Sequence, residues 1–375
     1  AREVVGTEAI LSPVIFDLGS DLRSFVDLVV LSEPVDTVET AKGILTIGLD
    51  TTYGFTPLGI AVKKAARSGA ALITMSEDEC NLDMLSEEAF QSEAAKWPSF
   101  LDGVMKSMSG NGGRKKTEPS FFKKGERNIV ILGPDAIFSG KRREIFDRVL
   151  SMRDDLGWKV IVCHPYTNLL GMLAMGAFPG LQPGGLKPDV ALKLKDPAAV
   201  VDLTQDRKVG YFIGEVPSPM MPKCEFIIYE NALPAPSGTR PDLILPAGLF
   251  TEVPGTMVSS EGKVLAFSRA SAPFAQSKPD WWIMSGIAAR MKKNALKYSS
   301  LSSIQAEIRK AIPGFSGKDR RIPRKKVVME GKAATLKSPL AQGRNGIPPS
   351  EAFRGVPLHD HVAGMKAIEE RRRRE

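Results

Sequence analysis

The chain has 375 residues, of which 43% are hydrophobic, 25% charged and 7% aromatic, a globular composition with enough apolar material for two sizeable cores. Its net charge of +8 is concentrated at residues 114–124, 320–326 and 371–374, where basic side chains do not alternate with aromatic ones as they do on a surface that stacks nucleic-acid bases. We therefore expect no nucleic-acid partner. No stretch approaches the roughly 20 apolar residues of a membrane span, so we also expect no direct membrane insertion.

The cysteines and the N-terminus indicate a reducing compartment. Cys80, Cys163 and Cys224 are far apart and form no C-x-x-C pair, which predicts neither a disulfide framework nor an iron–sulfur cluster within this chain. The chain begins at Ala1 without a Met or a signal-peptide pattern, so we expect a fragment or a processed product. The predicted location is cytoplasmic, with any attachment to the cytoplasmic membrane made through partner subunits.

The first predicted elements are two strands with a helix between them. Residues 44–48 and 70–75 are continuous apolar runs, as expected for strands buried on both faces of a parallel sheet. Between them, Thr56 is predicted to cap a helix whose first position is Pro57. Gly69 is predicted to end that helix.

The same order of elements returns later in the chain. We predict strands at residues 128–133, 158–163, 209–214, 226–229 and 243–245, and helices at residues 141–155, 280–293 and 303–311. This alternation predicts doubly wound α/β units.

Composition predicts where the domains meet. Residues 107–125 are rich in Gly, Lys and Ser, and residues 111–125 within them are the predicted linker between a domain of residues 1–110 and one of residues 126–315. Residues 316–375 are predicted to form an extended, irregular basic tail.

Three chemical signatures fail on spacing or on missing partners. The loop after Gly133 has six residues before the next Gly instead of four, and Arg142 stands where a phosphate-binding loop needs Ser or Thr. His359 and His361 have no identifiable third metal ligand. No Ser–His–Asp arrangement supports hydrolase chemistry.

Loops at predicted strand ends are better candidates for a binding site. Gly48, Asp50 and Thr51 follow the first strand and precede a helix N-terminus, where backbone amides and the helix dipole favour a phosphate or pyrophosphate. Glu77 follows the second strand, where a carboxylate either holds a ligand hydroxyl or is simply solvated.

Two later segments add to these loops. Asn168 and Gly171 follow the strand that ends near Cys163, and the glycine there serves either close approach to a ligand or tight helix packing. Residues 245–263 read LPAGLFTEVPGTMVSSEGK, which by composition is a strand end followed by an irregular polar loop.

Taken in order, these segments resemble the molybdopterin oxidoreductases of the formate dehydrogenase type. They are most similar to the large iron–sulfur subunit of NADH:quinone oxidoreductase. The family phrase LP-x-x-x-x-x-E-x-x-GT-x-x-N-x-EGR, followed by a D-W helix, corresponds to residues 245–263 and to Asp280-Trp281. Further matching phrases lie at residues 47–50, 168–179, 214–215 and 353–358.

The resemblance implies two Rossmann-like doubly wound domains of the formate dehydrogenase/DMSO reductase type, each holding one arm of a bis-molybdopterin guanine dinucleotide. The candidate cofactor-binding residues, from the strand ends and the resemblance together, are Gly48, Asp50, Thr51, Glu77, Asn168, Gly171, Gly214, Glu215, Glu252, Gly255, Glu261 and Lys263.

Departures from the family pattern predict that the cofactor is not held. His164 stands where active members have Arg, Ser259 where they have Asn, and Lys263 where they have Arg. A lysine cannot make the bidentate contacts of an arginine. We also expect no iron–sulfur domain, no Cys or selenocysteine metal ligand and no closing β-barrel in this chain, and a pterin left uncovered loses its dry site.

We therefore expect a scaffold subunit, or a fragment of one, in an NADH-linked electron-transfer complex, with no cofactor of its own and no catalysis alone. Iron–sulfur clusters are expected only on a preceding segment or on partner chains, and the expected partners are iron–sulfur and flavin subunits. One alternative is part of a molybdenum or tungsten bis-pterin formate dehydrogenase that binds the cofactor. Another is a nucleotide-binding or assembly protein without a redox role.

Overall fold

A computed structural model describes residues 5–7, 9–52, 54–109, 122–178, 181, 184, 192–195, 206–214, 216, 222–235, 238–291, 296, 298–312, 314–315, 322 and 327–330. Within these ranges, no helix has the length and apolar character needed to cross a bilayer.

Five strands form the main sheet: β1 (Gly43–Ile47), β2 (Ala71–Ser76), β3 (Glu88–Gln91), β4 (Asn128–Leu132) and β5 (Lys159–Val162). Their order is β3-β2-β1-β4-β5, and each neighbouring pair is parallel. Every residue of β1 and β4 is buried, because central strands of a parallel sheet have helices on both faces. The order of the strands reverses between β1 and β4, which makes this the place where ligands bind in open α/β sheets.

Helices cover both faces of the main sheet. They are α1 (Pro13–Leu18), α2 (Leu22–Val30), α3 (Thr56–Arg67), α4 (Trp97–Ser109), α5 (Pro134–Phe138), α6 (Arg142–Leu156) and α7 (Leu169–Ala174). Side chains alternate along a strand, so Leu45 joins the core under α2, α4 and α6 while Ile44 joins the core under α3. The sheet is therefore held between two separate apolar cores.

The later strands form smaller sheets: β6 (Leu192–Lys195), β7 (Arg207–Ile213), β8 (Cys224–Asn231), β9 (Leu243–Pro246), β10 (Gly255–Val258), β11 (Val264–Phe267) and β12 (Val327–Glu330). β7, β8 and β9 make a three-stranded parallel sheet, and β10 and β11 an antiparallel hairpin. β6 and β12 pair in parallel.

Two further helices follow the hairpin, α8 (Asp280–Arg290) and α9 (Leu301–Ala311). Backbone hydrogen bonds from Gly248 N to Lys278 O (3.0 Å) and from Lys278 N to Pro246 O (3.2 Å) tie the approach to α8 to the end of β9.

The strands and helices predicted from apolar periodicity are confirmed to within a few residues at their ends. The predicted N-cap is wrong. Helix α3 begins at Thr56 itself, after Phe55 in the left-handed conformation (φ 53), and no side chain caps it. The sequence Thr56-Pro57 is compatible with a helix that starts at either residue, because the backbone N–H groups of the first turn have no partner within the helix and Pro lacks only that group.

The predicted linker does not separate two sheets. β1 and β4 lie on either side of it and are paired along their whole length, so the predicted domains 1–110 and 126–315 share the main sheet and that boundary is corrected. A composition rich in Gly, Lys and Ser is typical both of a linker between domains and of a loop between neighbouring strands, so it does not distinguish the two. The α/β class with parallel sheets is confirmed, and the arrangement as two Rossmann-like domains stays a prediction.

Most of the predicted tail, residues 316–375, lies outside the described residues. Two of its described parts contact the body of the chain. Ile322 is buried and donates its backbone N–H to the Gly262 carbonyl (2.9 Å), and β12 pairs with β6.

Candidate cofactor crevice

The reversal point between β1 and β4 is filled by the chain itself. The Gly48 carbonyl accepts the backbone N–H of Asp135 at 3.2 Å. A Cβ placed on Gly48 (φ 59) would lie 2.5 Å from the Ala136 nitrogen, and a Cβ on Gly133 would overlap the Gly48 carbonyl. Only glycine fits positions where two backbones approach this closely, so the loops after β1 and β4 pack directly on each other at the reversal point.

Asp50 and Thr51 are also engaged within the chain. Asp50 is exposed, and its Oδ1 accepts both the backbone N–H (2.9 Å) and the hydroxyl (2.7 Å) of Thr52. Thr51 is buried and donates its hydroxyl to Asn81 Oδ1 at 2.7 Å. The Thr51 side chain packs against Gly59 so closely that a Cβ at that position would lie 2.5 Å from the Thr51 hydroxyl oxygen. Both side chains therefore order the loop in which they lie.

The rim of the crevice is acidic. Glu77 is exposed and accepts the backbone N–H of Ala94 at 2.9 Å. Asp135 also reaches the surface, but crowding by neighbouring groups desolvates it. This desolvation, followed by repulsion from Glu77, Asp50 and Asp78, raises the pKa of Asp135 to about 6. Four carboxyl groups at one sheet edge disfavour an anionic pyrophosphate.

Asn168 and Gly171 form a joint between α7 and the hairpin. Asn168 precedes α7 in the left-handed conformation (φ 60), and its Oδ1 accepts the backbone N–H of Val258 at 2.8 Å. A Cβ on Gly171 would overlap the Asn168 carboxamide. The N-x-x-G spacing therefore has a packing reason, since the glycine leaves room for the asparagine that holds β10.

Glu261 fastens the hairpin to the segment that precedes β1. Its Oε1 accepts the backbone N–H of Val35 at 3.0 Å, at the start of a short 3₁₀-helix. Its Oε2 lies 2.6 Å from Lys263 Nζ. Gly255 lies against the ring of Phe267, 2.6 Å from where its Cβ would be. These predicted site residues thus hold the hairpin in place.

Gly214 and Glu252 lie with the three-stranded sheet. Gly214 (φ 72) directly follows β7 and donates its N–H to the Glu230 carbonyl at 2.9 Å. Glu252 is buried and accepts the backbone N–H of Leu249 at 3.0 Å. Glu215 lies outside the described residues.

The structure thus distributes the predicted site residues over three places. Four lie near the β1–β4 crevice (Gly48, Asp50, Thr51, Glu77), five at the α7–hairpin joint (Asn168, Gly171, Gly255, Glu261, Lys263) and two beside the three-stranded sheet (Gly214, Glu252). Their role in cofactor binding stays a prediction. Sequence analysis rejected the loop after Gly133 as a phosphate loop and did not name Asp135, although a Gly-Pro-Asp turn directly after a buried strand was a usable signal.

His164 is uncharged at neutral pH. It follows β5 and has its ring 5.9 Å from Phe25 and 6.0 Å from Tyr166, centroid to centroid. Burial lowers the pKa of His164 to about 4. The position where the resemblance expects a cationic arginine therefore carries no positive charge.

The fold and these loops define an α/β chain of the class in which strand-end loops of a parallel sheet form the ligand crevice. A profile of the family described as molybdopterin oxidoreductase matches residues 13–290. The chain belongs to the molybdopterin oxidoreductase family, and the resemblance read from its motifs is confirmed.

Individual relatives are distant. The mitochondrial NADH-ubiquinone oxidoreductase 78 kDa subunit of Candida albicans is 28% identical over 307 residues, covering 79% of this chain and 37% of the relative. The NADPH-Fe(3+) oxidoreductase subunit alpha of Geobacter sulfurreducens is 25% identical over 365 residues, covering 80% and 43%. The F420-dependent formate dehydrogenase subunit alpha of Methanocaldococcus jannaschii is 24% identical over 176 residues, covering 40% and 26%. In these three matches the aligned part is less than half of the relative.

Proposed function

We propose that this chain is a structural component of an NADH-linked electron-transfer oxidoreductase complex, in which the molybdopterin-oxidoreductase fold acts as a scaffold and holds no pterin. The observation that carries the proposal is the direct packing of the loops after β1 and β4 on each other. The Asp135 amide donates to the Gly48 carbonyl there, so this N–H is not available to a phosphate.

The charges of the crevice support the same conclusion. A guanine dinucleotide brings negative phosphates, which helix N-termini and cations stabilise. Here the rim carries Asp50, Glu77, Asp78 and Asp135, and desolvation followed by repulsion from the other three carboxylates raises the pKa of Asp135. His164 supplies no compensating charge, because burial keeps it neutral. The residues present do not fit an anionic pterin dinucleotide.

The surface of the second part of the chain supports assembly with other proteins. Phe250 is 77% exposed, Phe274 80% and Trp282 50%, and Lys278 lies over the Trp282 ring at 5.7 Å. Exposed aromatic side chains of this kind are typical of protein–protein contact surfaces. We propose iron–sulfur and flavin subunits as the partners, assembled in the cytoplasm and reaching a membrane only through those partners.

The test is metal analysis of the complex purified from its native host with its partners attached. Molybdenum and tungsten should stay at background, while iron should follow the iron–sulfur subunits that copurify. Molybdenum or tungsten approaching one atom per chain would overturn the scaffold role and favour the alternative, part of a bis-pterin formate dehydrogenase that binds the cofactor. Copurification without any iron–sulfur or flavin subunit would instead favour an assembly protein.

A further inference from the structure

Glu230 is a fully buried acidic residue outside the candidate crevice. It lies near the end of β8 and is 0% exposed. Its Oε1 finds no amide or hydroxyl donor among the described residues. A carboxylate in such a place loses its hydration without full compensation, so it is stable only if it is paired or protonated.

Two side chains meet Glu230 from neighbouring elements. The Tyr211 hydroxyl, from β7, donates to Glu230 Oε2. Tyr211 pairs in register with Ile228, two residues before Glu230, which places both side chains on one face of the sheet. Asp280, the first residue of α8, comes two residues after Lys278, whose N–H bonds to the Pro246 carbonyl, and Pro246 pairs in register with Asn231, the neighbour of Glu230. This places the Asp280 carboxyl beside that of Glu230, where the two interact.

A hydrogen bond between two carboxyl groups requires a proton on one of them, because an ionised carboxylate only accepts. Tyr211 cannot supply that proton by ionising, since burial and then its bond to Glu230 raise the pKa of the phenol further above its usual value. Asp280 is exposed, so the pair exchanges its proton with solvent.

We propose that Glu230, Asp280 and Tyr211 form a proton-dependent latch that holds the N-terminal turn of α8 against β8. When the pair carries one proton, the carboxyl–carboxyl bond closes the latch. When both groups are ionised, their repulsion opens it, while the backbone bonds at Lys278 still tie the approach to α8 to the end of β9.

The titration of the pair supports the latch. Burial, the charge of Asp280 and the bond to it raise the pKa of Glu230 from 4.5 to about 7, against the opposing effect of the Tyr211 hydroxyl. Crowding by neighbouring groups partly desolvates the Asp280 carboxyl, although Asp280 reaches the surface, and this also raises the pKa of Asp280. The titratable groups that act on Glu230 are thus Tyr211 from β7 and Asp280 from α8. An acid with a raised pKa in the folded state stabilises the fold at low pH. This contribution is lost as the pH rises from about 4.5 through about 7.

The experiment compares the full chain with its Glu230→Gln variant between about pH 5 and about pH 8. A glutamine carbonyl still accepts from Tyr211, and its amide donates to ionised Asp280 without a shared proton. Hydrogen exchange of residues 280–290, corrected for intrinsic rates, should speed up severalfold with pH in the wild type and stay level in the variant. Glu252→Gln is the matched control, because Glu252 is also buried but accepts from a backbone amide, and it should keep the wild-type pH dependence.

A second readout covers the case in which Glu230→Gln fails to fold. The urea midpoint of the wild type should fall as the pH rises through about 7. Asp280→Asn should weaken that dependence, because it removes the repulsion between the two carboxylates while Glu230 stays buried. Exchange in α8 that is independent of pH in the wild type would overturn the latch. So would an unchanged pH dependence in both Glu230→Gln and Asp280→Asn. The latch does not depend on the scaffold role, because it makes no use of the crevice.

Discussion

At the scale of single residues, Asn168 shows how a motif that predicts a ligand can serve packing. Its carboxamide oxygen accepts the Val258 amide, 90 positions along the chain. A helix N-terminus with an Asn and two nearby glycines has the composition of a binding loop. A contact between two secondary-structure elements has the same composition as a ligand-binding loop, because each needs a polar side chain held close to a backbone.

A glycine substitution tests this joint. Gly171→Ala forces the new methyl group into the Asn168 carboxamide, so the bond to Val258 is lost and we expect the free energy of unfolding to fall by about 1–3 kcal/mol. The measurement is urea unfolding followed by circular dichroism. Gly103→Ala is the matched control, since Gly103 lies in α4 with no neighbour within 4 Å, and it should gain about 0.5–1 kcal/mol from higher helix propensity.

The contact itself is tested by a second background. In an Asn168→Ala chain the carboxamide is absent, so adding Gly171→Ala should cost little. An equal loss in both backgrounds would show that Gly171 is required for a reason other than Asn168.

At the scale of elements, ion pairs align the helices on one face of the main sheet. Arg142, at the start of α6, donates from Nε to Asp21 Oδ2 at 2.7 Å and from Nη2 to the Leu18 carbonyl at 3.4 Å. Both charged side chains of the pair are only 11% exposed. Low exposure makes such a pair sensitive to the loss of one partner, because the remaining charge stays desolvated.

We expect Arg142→Ala to lower the free energy of unfolding by about 3 kcal/mol, whereas the double variant with Asp21→Ala should be less damaged than the sum of the two single variants. The control is the pair of Lys64 and Glu39, whose side chains are 67% and 53% exposed; its Lys64→Ala variant should change stability by about 0.5 kcal/mol or less. A strictly additive double-mutant cycle for Arg142 and Asp21 would show that the two charges do not stabilise each other.

At the scale of the whole molecule, the pairing of β1 with β4 makes the two predicted domains one folding unit. The apolar core on one face draws side chains from both sides of the predicted linker, and the rings of Phe25 and Phe146 meet there at 6.2 Å. A fragment that ends before β4 lacks one of the two strands that pair with β1, and it also lacks part of this core.

Residues 1–110 expressed alone should therefore show no cooperative unfolding transition by circular dichroism, because β1 would become an exposed apolar edge strand. Coexpressed with residues 111–375, the two pieces should copurify and regain a cooperative transition. A cooperative transition in residues 1–110 alone would restore the boundary that the composition predicted.

The sequence predicted well those features of this protein that depend on residues close together along the chain, and less well those that depend on residues far apart along it. Strands such as residues 44–47 and helices such as α6 are visible in the local spacing of apolar residues, since that spacing reports burial directly. The ordered succession of strand-end phrases also sufficed to predict the family. The role of those motifs was harder to predict, because the sequence around a polar loop residue is the same whether its side chain binds a ligand or another part of the chain.

The sequence by itself determined the α/β class, the approximate bounds of the elements that it predicted and the molybdopterin oxidoreductase family, since all of these depend on short segments read in order. Tertiary structure alone decided that Gly48 meets Asp135, that Asn168 holds Val258 and that Glu230 faces Asp280. These partners are 50 to 90 positions apart, and local periodicity says which residues are buried but not which of them touch. Whether a strand-end loop opens to a ligand or closes on its neighbour is decided by such contacts.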